Sequence, residues 1–203
     1  MRKRRSITLT RKTPSPVRRE ASLGGKWLEL LSEIAPGLKR AAVMFNPDTA
    51  SNASAFMPSF ETAARSLKVE ATIAPVHSDG EIETAIIALG REPGGGLVVM
   101  PDAFMTTHRA PLILAAARNN VPAVYNTSDF VRDGGLLSYA LDRVDNYRRA
   151  ASYVDRILRG ETPGDLPVQF PVKYEMVVNR RTAKALGLAI PPSILLRADE
   201  VIE

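Results

Sequence analysis

Short hydrogen-bonding side chains follow four apolar runs of this sequence, where they could bind a ligand. The runs end at residues 45, 100, 125 and 140, and the first polar cluster, 46–52, reads NPDTASN. Amides, hydroxyls and carboxylates in such clusters can hold a small polar solute beside an aromatic wall. The predicted ligand-contacting residues are Asn46, Ser51, Asn52, Asp102, Phe104, Tyr125, Asn126, Asp129 and Tyr139.

The same residue types are also common helix caps. Asp48, Ser51, Asn52, Asp102 and Ser128 each stand where an apolar run gives way to a helical pattern, and their side chains could accept hydrogen bonds from the first helical amides. For any one of these residues capping is the simpler interpretation. Four such clusters at one edge of a sheet nevertheless favour a ligand site for the group.

The first cluster does not have the composition of a phosphate site. It contains no glycine, and the glycine run Gly94–Gly96 precedes a strand pattern, so its amides do not open a helix toward a phosphate. An amide, hydroxyls and the N-terminus of the following helix suit a carboxylate or an amide instead.

Catalytic and metal-binding patterns are weak. The chain has no cysteine and only two histidines, His77 and His108, so a cysteine nucleophile and a histidine-rich metal centre are excluded. There is no G-x-S-x-G turn for a serine hydrolase, and Asp102 supplies only one of the acids of a receiver-type phosphoacceptor. Both histidines are interpreted as surface residues, and no cofactor is predicted.

The basic charge of the protein lies at one end. The 203 residues carry a net charge of +5, and residues 1–20 account for +7 through eight basic side chains and Glu20, so the remainder carries −2. We predict a disordered basic tail over residues 1–21. DNA contact by this tail is an alternative, but it has no interleaved aromatic residues, and a slightly acidic body argues against a nucleic-acid protein.

Apolar periodicity predicts helices that alternate with strands. Trp27, Leu30, Leu31 and Ile34 share one helical face, and a single helix is predicted over 107–119. This alternation predicts an α/β fold with a five-stranded, doubly wound parallel sheet, which binds ligands at the carboxyl ends of its strands. The predicted strands are 40–45, 69–76, 97–100, 121–125 and 136–140.

Several long segments resemble one known family. They are GKWLELLSEIAPGLKRAAVMFNPDTA, REPGGGLVVMPDAF, YRRAASYVDRILRGETPGDLPVQFPVKYEMVVNRRTAKALGL and PPSILLRADEVIE. From about Gly25 to Glu203 the chain is similar to the C-terminal part of the ABC transporter substrate-binding protein family, which has the type I periplasmic-binding-protein fold. The resemblance implies two α/β lobes, a small solute in the cleft between them and delivery to membrane permease subunits. In the amino-acid-binding branch, ligand contacts come from loops matching Ser51-Asn52, Asp102 and 126–129.

The chain departs from the family pattern at its start and at one turn. Relatives begin with a secretion signal and most of a first lobe, so this chain is expected to be truncated. Ala140 stands where many relatives have glycine, which weakens the case for a backbone contact near Tyr139. The predicted division is as follows: 1–21, basic tail; 22–37, a helix of the truncated first lobe; 38–141, a complete lobe; 142–203, a crossover helix, a return strand and a C-terminal segment.

Truncation predicts uncovered apolar surface. The helix that carries Trp27 and the helix from Tyr147 to Leu158 are expected to lose their cover, and exposed apolar faces of this kind promote self-association. A cleft with one wall is expected to bind weakly.

These observations predict a solute-binding component of an ABC uptake transporter with impaired binding and no enzymatic role. Two alternatives stay open: the ligand-sensing core of a transcription regulator with a DNA-contacting tail, and a small α/β enzyme that uses Asp102 or His108. The resemblance implies a periplasmic location, although the chain as given shows no signal peptide, which leaves cytoplasmic retention open.

Overall fold

A seven-stranded sheet forms the centre of the protein. The computed structural model describes residues 22–169 and 173–203. The strands are β1 (Arg40–Phe45), β2 (Glu70–Pro75), β3 (Gly95–Val99), β4 (Ala123–Tyr125), β5 (Leu137–Leu141), β6 (Tyr174–Asn179) and β7 (Glu200–Ile202). Their order in the sheet is β2-β1-β3-β4-β5-β6-β7. Neighbouring strands are parallel except β5 and β6, which run antiparallel.

Helices cover both faces of this sheet. They are α1 (Leu23–Ile34), α2 (Ala53–Leu67), α3 (Asp79–Gly90), α4 (Ala103–Thr107), α5 (Arg109–Arg118), α6 (Ser128–Arg132), α7 (Arg143–Leu158), α8 (Arg180–Ala185) and α9 (Pro192–Arg197). One face packs against α1, α2, α8 and α9. The other packs against α3, α4, α5 and α6. The predicted doubly wound α/β architecture is therefore confirmed.

Alternation along each strand builds two hydrophobic cores. In β1, Val43 joins the core under α1 and α2, whereas Met44 joins the core under α3 and α5. Successive residues of a strand point to opposite faces, so a strand covered on both sides is apolar at every position. The residues AAVMF of β1 have this pattern, and the four central residues of the strand are buried.

The number of strands and the start of one helix differ from the sequence prediction. All five predicted strands are present, but β6 and β7 extend the sheet to seven strands, and β6 pairs antiparallel with β5. The predicted helix over 107–119 corresponds to α5, and a separate short helix, α4, ends just before it at Thr107. Pro111 lies in the first turn of α5, where its missing amide hydrogen is tolerated, whereas inside a continuous helix it would remove a hydrogen bond.

The predicted exposure of the α1 face is wrong. Trp27 and Leu30 are fully buried against the sheet, and the Trp27 Nε1–H donates a hydrogen bond of 2.7 Å to the carbonyl of Tyr139. A Cβ on Gly24 would lie 2.3 Å from the Phe56 carbonyl oxygen, so glycine allows α1 and α2 to approach closely. The face that was predicted to lose its cover is covered by α2 and the sheet.

Helix α7 is the opposite case. None of its residues is buried, and the predicted exposure of the apolar residues from Tyr147 to Leu158 is confirmed for Tyr147, Val154, Ile157 and Leu158. Within the described ranges, no helix is both long and apolar enough to cross a membrane. The predicted basic tail, and with it the alternative of DNA contact, lies outside the described residues.

Candidate functional site

A cleft of about 650 Å³ opens at the carboxyl ends of β4 and β5. The N-terminal end of α2, the loop between β4 and α6, and the first turn of α7 form its walls. Three predicted site residues line it: Asn52, Asn126 and Asp129. The cleft thus opens at the edge of the sheet where the sequence analysis expected a ligand site, and the structure brings part of the predicted set together there.

Asn46 and Asp102 lie at the same edge, where hydrogen bonds from the loop after β1 hold the Asp102 carboxylate. The amide of Asn46 donates to Asp102 Oδ2 at 2.7 Å, and the amide of Phe104 donates to Asp102 Oδ1 at 2.9 Å. The hydroxyl of Thr49 also donates to Asp102 Oδ1. Asn46 Oδ1 accepts a 2.8 Å hydrogen bond from the amide of Asp48. The Asp102 carboxylate thus caps α4 and joins two loops.

Ser51 and Asn52 precede α2 and differ in position. Both are exposed, but only Asn52 lines the cleft. Asn52 occupies the N-cap position of α2 without a side-chain capping hydrogen bond, so the capping interpretation does not account for its amide. Ser51 lies outside the cleft.

The predicted aromatic wall is not at this cleft. Tyr125 is buried in the core, where its ring stacks on Phe130 with centroids 4.8 Å apart, because its position in β4 points toward α5 and α6. This burial raises the pKa of the Tyr125 phenol. Phe104 stacks on His108 at 4.0 Å. Tyr139 lines a separate groove of about 660 Å³ beside α1 and α2.

Other aromatic side chains take that place. Trp27, Phe56 and Tyr147 line the cleft, and the Trp27 and Phe56 rings are 5.3 Å apart. The sequence pattern assigned all three to helical packing faces. Helical periodicity identifies an apolar face but does not show which part of it reaches the end of the sheet.

Two buried polar atoms in the β4–α6 loop have no hydrogen-bond partner within the described part of the chain. They are Asn126 Oδ1 and Thr127 Oγ1, and both residues line the cleft. A buried acceptor without a donor costs about 1–3 kcal/mol, so these atoms favour a ligand that brings a donor. Thr127 was not among the predicted site residues, although the same polar cluster of the sequence contains it.

Charged groups of both signs surround the loop. Arg143 Nη1 lies 2.8 Å from Asp129 Oδ2, and Arg132 lies 4.0 Å from the same carboxylate. Arg132 also pairs with Glu200 at 2.8 Å and with Glu175 at 3.5 Å. The hydrogen bond to Glu200 raises the pKa of Arg132, and the neighbouring carboxylates add to this effect. Sequence reasoning missed Arg132, Arg143 and Glu175, since ion pairs between distant elements leave no local pattern.

Asp142 completes the charged rim where β5 meets α7. Its carboxylate caps α7 by accepting a 2.9 Å hydrogen bond from the amide of Asp145, and it pairs with Lys173 at 2.8 Å. The hydrogen bond from Lys173 lowers the pKa of Asp142, and the Asp145 amide lowers it further. This carboxylate is therefore ionised at neutral pH.

The two histidines lie away from the cleft and contact carboxylates of α3. His108 Nδ1 is 2.6 Å from Asp79, and His77 Nδ1 is 3.2 Å from Glu81. Among residues 22–169 and 173–203, no three His, Cys, Asp or Glu residues are grouped so that they could hold a metal ion.

Comparison with known proteins gives a match along most of the chain. A family model described as ABC transporter substrate binding protein matches residues 19–202. The protein named Tyrosine-binding protein from Clostridioides difficile strain R20291 is 23% identical over 164 residues, which are 80% of this chain and 47% of that protein.

Solved structures share the fold. A conserved domain protein from Vibrio cholerae O1 biovar El Tor has a TM-score of 0.76 and 27% identity, over 88% of this chain and 60% of that chain. The ABC domain in complex with L-Trp from Streptococcus pneumonia has a TM-score of 0.77 and 22% identity over the same shares. The chain thus spans about half to three fifths of the length of these proteins.

Proposed function

Because the chain belongs to the ABC transporter substrate binding protein family, we propose that its cleft binds an amino acid or a similar small solute for an ABC uptake transporter. The observation that carries the proposal is the pair of unpartnered acceptors, Asn126 Oδ1 and Thr127 Oγ1, in a cleft that also has charges of both signs. An α-amino acid presents an ammonium and a carboxylate close together, which matches such a site.

The ammonium end of the solute is assigned to the β4–α6 loop. Asn126 Oδ1 and the Asp129 carboxylate can each accept a hydrogen bond from an ammonium, and charge-assisted hydrogen bonds of this kind are the stronger ones. Asp129 is already close to Arg143, so the solute would share that carboxylate with the arginine.

The carboxylate end is assigned to Arg143 and the N-terminus of α2. A guanidinium binds a carboxylate through parallel hydrogen bonds, and the N-terminus of a 15-residue helix carries a partial positive charge. The Asn52 amide lies at that end of α2. Tyr147 then offers apolar surface to the side chain of the solute, above the buried rings of Trp27 and Phe56.

Relatives support an amino acid as the solute. The Clostridioides difficile relative is named for tyrosine, and the Streptococcus structure contains L-Trp. Permease subunits as partners and a periplasmic location are part of the same proposal, since the family description names an ABC transporter.

Isothermal titration calorimetry tests the proposal. The purified chain is titrated with the twenty amino acids and with small carboxylates, and the Clostridioides difficile relative is titrated with L-Tyr in parallel. We expect heat from at least one amino acid. An Asn126→Ala variant should lose that heat, whereas the matched control Ser51→Ala, outside the cleft, should keep it. If no solute gives heat while the relative binds L-Tyr, the proposal is rejected.

A further inference from the structure

The guanidinium of Arg132 lies between the cleft and the β7 edge of the sheet. Its Nη2 donates a 2.8 Å hydrogen bond to Glu200 Oε2 in β7 and lies 3.5 Å from Glu175 Oε1 in β6. Its Nη1 donates to Ser128 Oγ at 3.2 Å and lies 4.0 Å from Asp129 Oδ1 in α6. The hydrogen bond to Glu200 is the largest cause of the raised pKa of this arginine, and the other two carboxylates contribute less.

The three carboxylates near this guanidinium differ in their position relative to the cleft. Asp129 and Glu175 line the cleft, whereas Glu200 is not among its lining residues. Glu200 is the register partner of Val177, two residues after Glu175 in β6, so the two glutamates point to the same face of the sheet. Val177 belongs to the core under α6, and Arg132 is the last residue of that helix. The guanidinium can therefore reach a carboxylate outside the cleft as well as two inside it.

Glu200 thus controls how much positive charge lies against the cleft carboxylates. In the structure Arg143 is 2.8 Å from Asp129, and Arg132 is held further away. Without the hydrogen bond to Glu200, the remaining neighbouring carboxylates, Asp129 and Glu175, would attract the guanidinium toward the cleft. Either contact would occupy a carboxylate oxygen that a bound cation could otherwise use, and it would bring a like charge close to that cation.

From this geometry we propose that Glu200 is a positioning residue for solute binding, because it keeps the Arg132 guanidinium away from Asp129 and leaves that carboxylate to the ammonium of the solute. This inference rests on the proposed function, which assigns the solute ammonium to the β4–α6 loop. Glu200 itself does not contact the solute and acts through Arg132. Its substitution should therefore change the affinity only while that guanidinium is present.

Isothermal titration calorimetry of the 203-residue chain measures the effect on affinity. The probes are L-Tyr and L-Trp, the amino acids for which one relative is named and which a similar structure contains. We expect Glu200→Gln to weaken binding about two- to fivefold, the range of a partly exposed ion pair. Glu203→Gln is the matched control, since it removes an exposed ion pair with Arg180 from the same C-terminal segment, and it should leave the affinity unchanged. Urea denaturation checks that both variants fold.

A double-mutant cycle separates positioning from a general structural role. In an Arg132→Gln background, Glu200→Gln should have no further effect on the affinity, since there is no guanidinium left to position. A loss of affinity caused by disturbance of β7 would persist in that background.

Crystal structures of the wild-type protein and of Glu200→Gln, both without solute, test the inference without any binding measurement. In the variant we expect an Arg132 nitrogen within about 3.2 Å of an oxygen of Asp129 or Glu175. If the wild-type protein gives no heat with either amino acid, the proposed function fails, and these structures alone decide the role of Glu200. A guanidinium that keeps its wild-type position would overturn the inference, as would an affinity that Glu200→Gln leaves unchanged or weakens equally without Arg132.

Discussion

Two polar regions at the same edge of the sheet differ in how their hydrogen bonds are used. In the β1–β3 region, the Asp102 carboxylate accepts from Asn46, Thr49 and Phe104. In the β4–α6 region, Asn126 Oδ1 and Thr127 Oγ1 are buried without partners in the described ranges. Residues of the same types, in the same position after a strand, are therefore hydrogen-bonded within the protein in one region and unpartnered in the other.

The sheet explains this difference. Met44 and Val99 are register partners in β1 and β3, so Asn46 and Asp102 leave the sheet side by side and can bond to each other. Tyr125 is paired with Ser138, but β5 continues to Leu141 and its backbone pairs with β6. The loop after β4 therefore faces a strand rather than another polar loop, and some of its acceptors stay unpartnered.

Asp102→Ala is expected to produce the largest effect. The change leaves a buried amide and the first turn of α4 without their acceptor, so the free energy of unfolding should fall by about 2–4 kcal/mol. Urea denaturation measures this loss. Asp129→Ala, which removes an exposed ion pair, should cost less than about 1 kcal/mol. Equal losses in the two variants would contradict the distinction between the regions.

Asn126→Ala is expected to act on affinity more than on stability. Loss of an acceptor for the solute ammonium should weaken amino-acid binding about tenfold or more. Its free energy of unfolding should change less than that of the Asp102 variant. Calorimetry and urea denaturation on the same preparation separate the two quantities, and a variant that loses stability but keeps affinity would refute the assignment.

A pair of threonine-to-valine changes compares the regions directly. Thr49→Val removes a hydroxyl that is bonded to Asp102 and should lower the free energy of unfolding by about 1 kcal/mol. Thr127→Val removes an unpartnered hydroxyl, so stability should stay unchanged or rise by up to about 1 kcal/mol. Thermal and urea unfolding of both variants measure the difference. A larger loss in the Thr127 variant would show that its hydroxyl has a structural partner.

The smallest expected effect is on the pH dependence of stability. The pKa of Asp142 is lowered from 3.8, first by the hydrogen bond from Lys173. The folded state therefore binds this proton less readily than the unfolded state. The stabilisation is present above the unfolded pKa and is lost as the pH falls through the folded pKa.

Urea midpoints at about pH 5 and about pH 3 measure this dependence. Asp142→Asn should reduce the loss of stability between the two values. Asp155→Asn, which changes an exposed carboxylate of the same helix, is the control and should follow the wild-type protein. If the Asp142 variant loses as much stability between the two pH values as the wild-type protein, the contact between Lys173 and Asp142 does not cause the pH dependence.

Much of the fold could be predicted from local patterns. The run AAVMF is apolar because β1 is covered on both faces, and the strand-to-helix alternation predicted the sheet and the edge at which the cleft opens. The positions of β6 and β7 in the sheet were harder to predict, since the segment that contains α7 separates β5 from β6. The pairs β5–β6 and β6–β7 therefore join residues that are distant in sequence.

The candidate site was only partly predictable. Asn52, Asn126 and Asp129 reach the cleft, but Tyr125 points into the core and Trp27 lies where an aromatic wall was expected from other residues. Arg132 and Arg143 reach the cleft through ion pairs between α6, α7, β6 and β7. The periodicity of a single segment does not predict ion pairs between residues that are distant in sequence.

The sequence by itself determined the order of strands and helices and the edge at which polar loops gather, because hydrophobic period and strand direction are local properties. Only the tertiary structure decided that the Asp102 carboxylate is hydrogen-bonded by its neighbours and that Asn126 Oδ1 is not. It also decided that α1 is covered while α7 is exposed. These outcomes depend on which distant groups become neighbours, since a hydrogen bond or an apolar contact is satisfied by whatever atom packs against it.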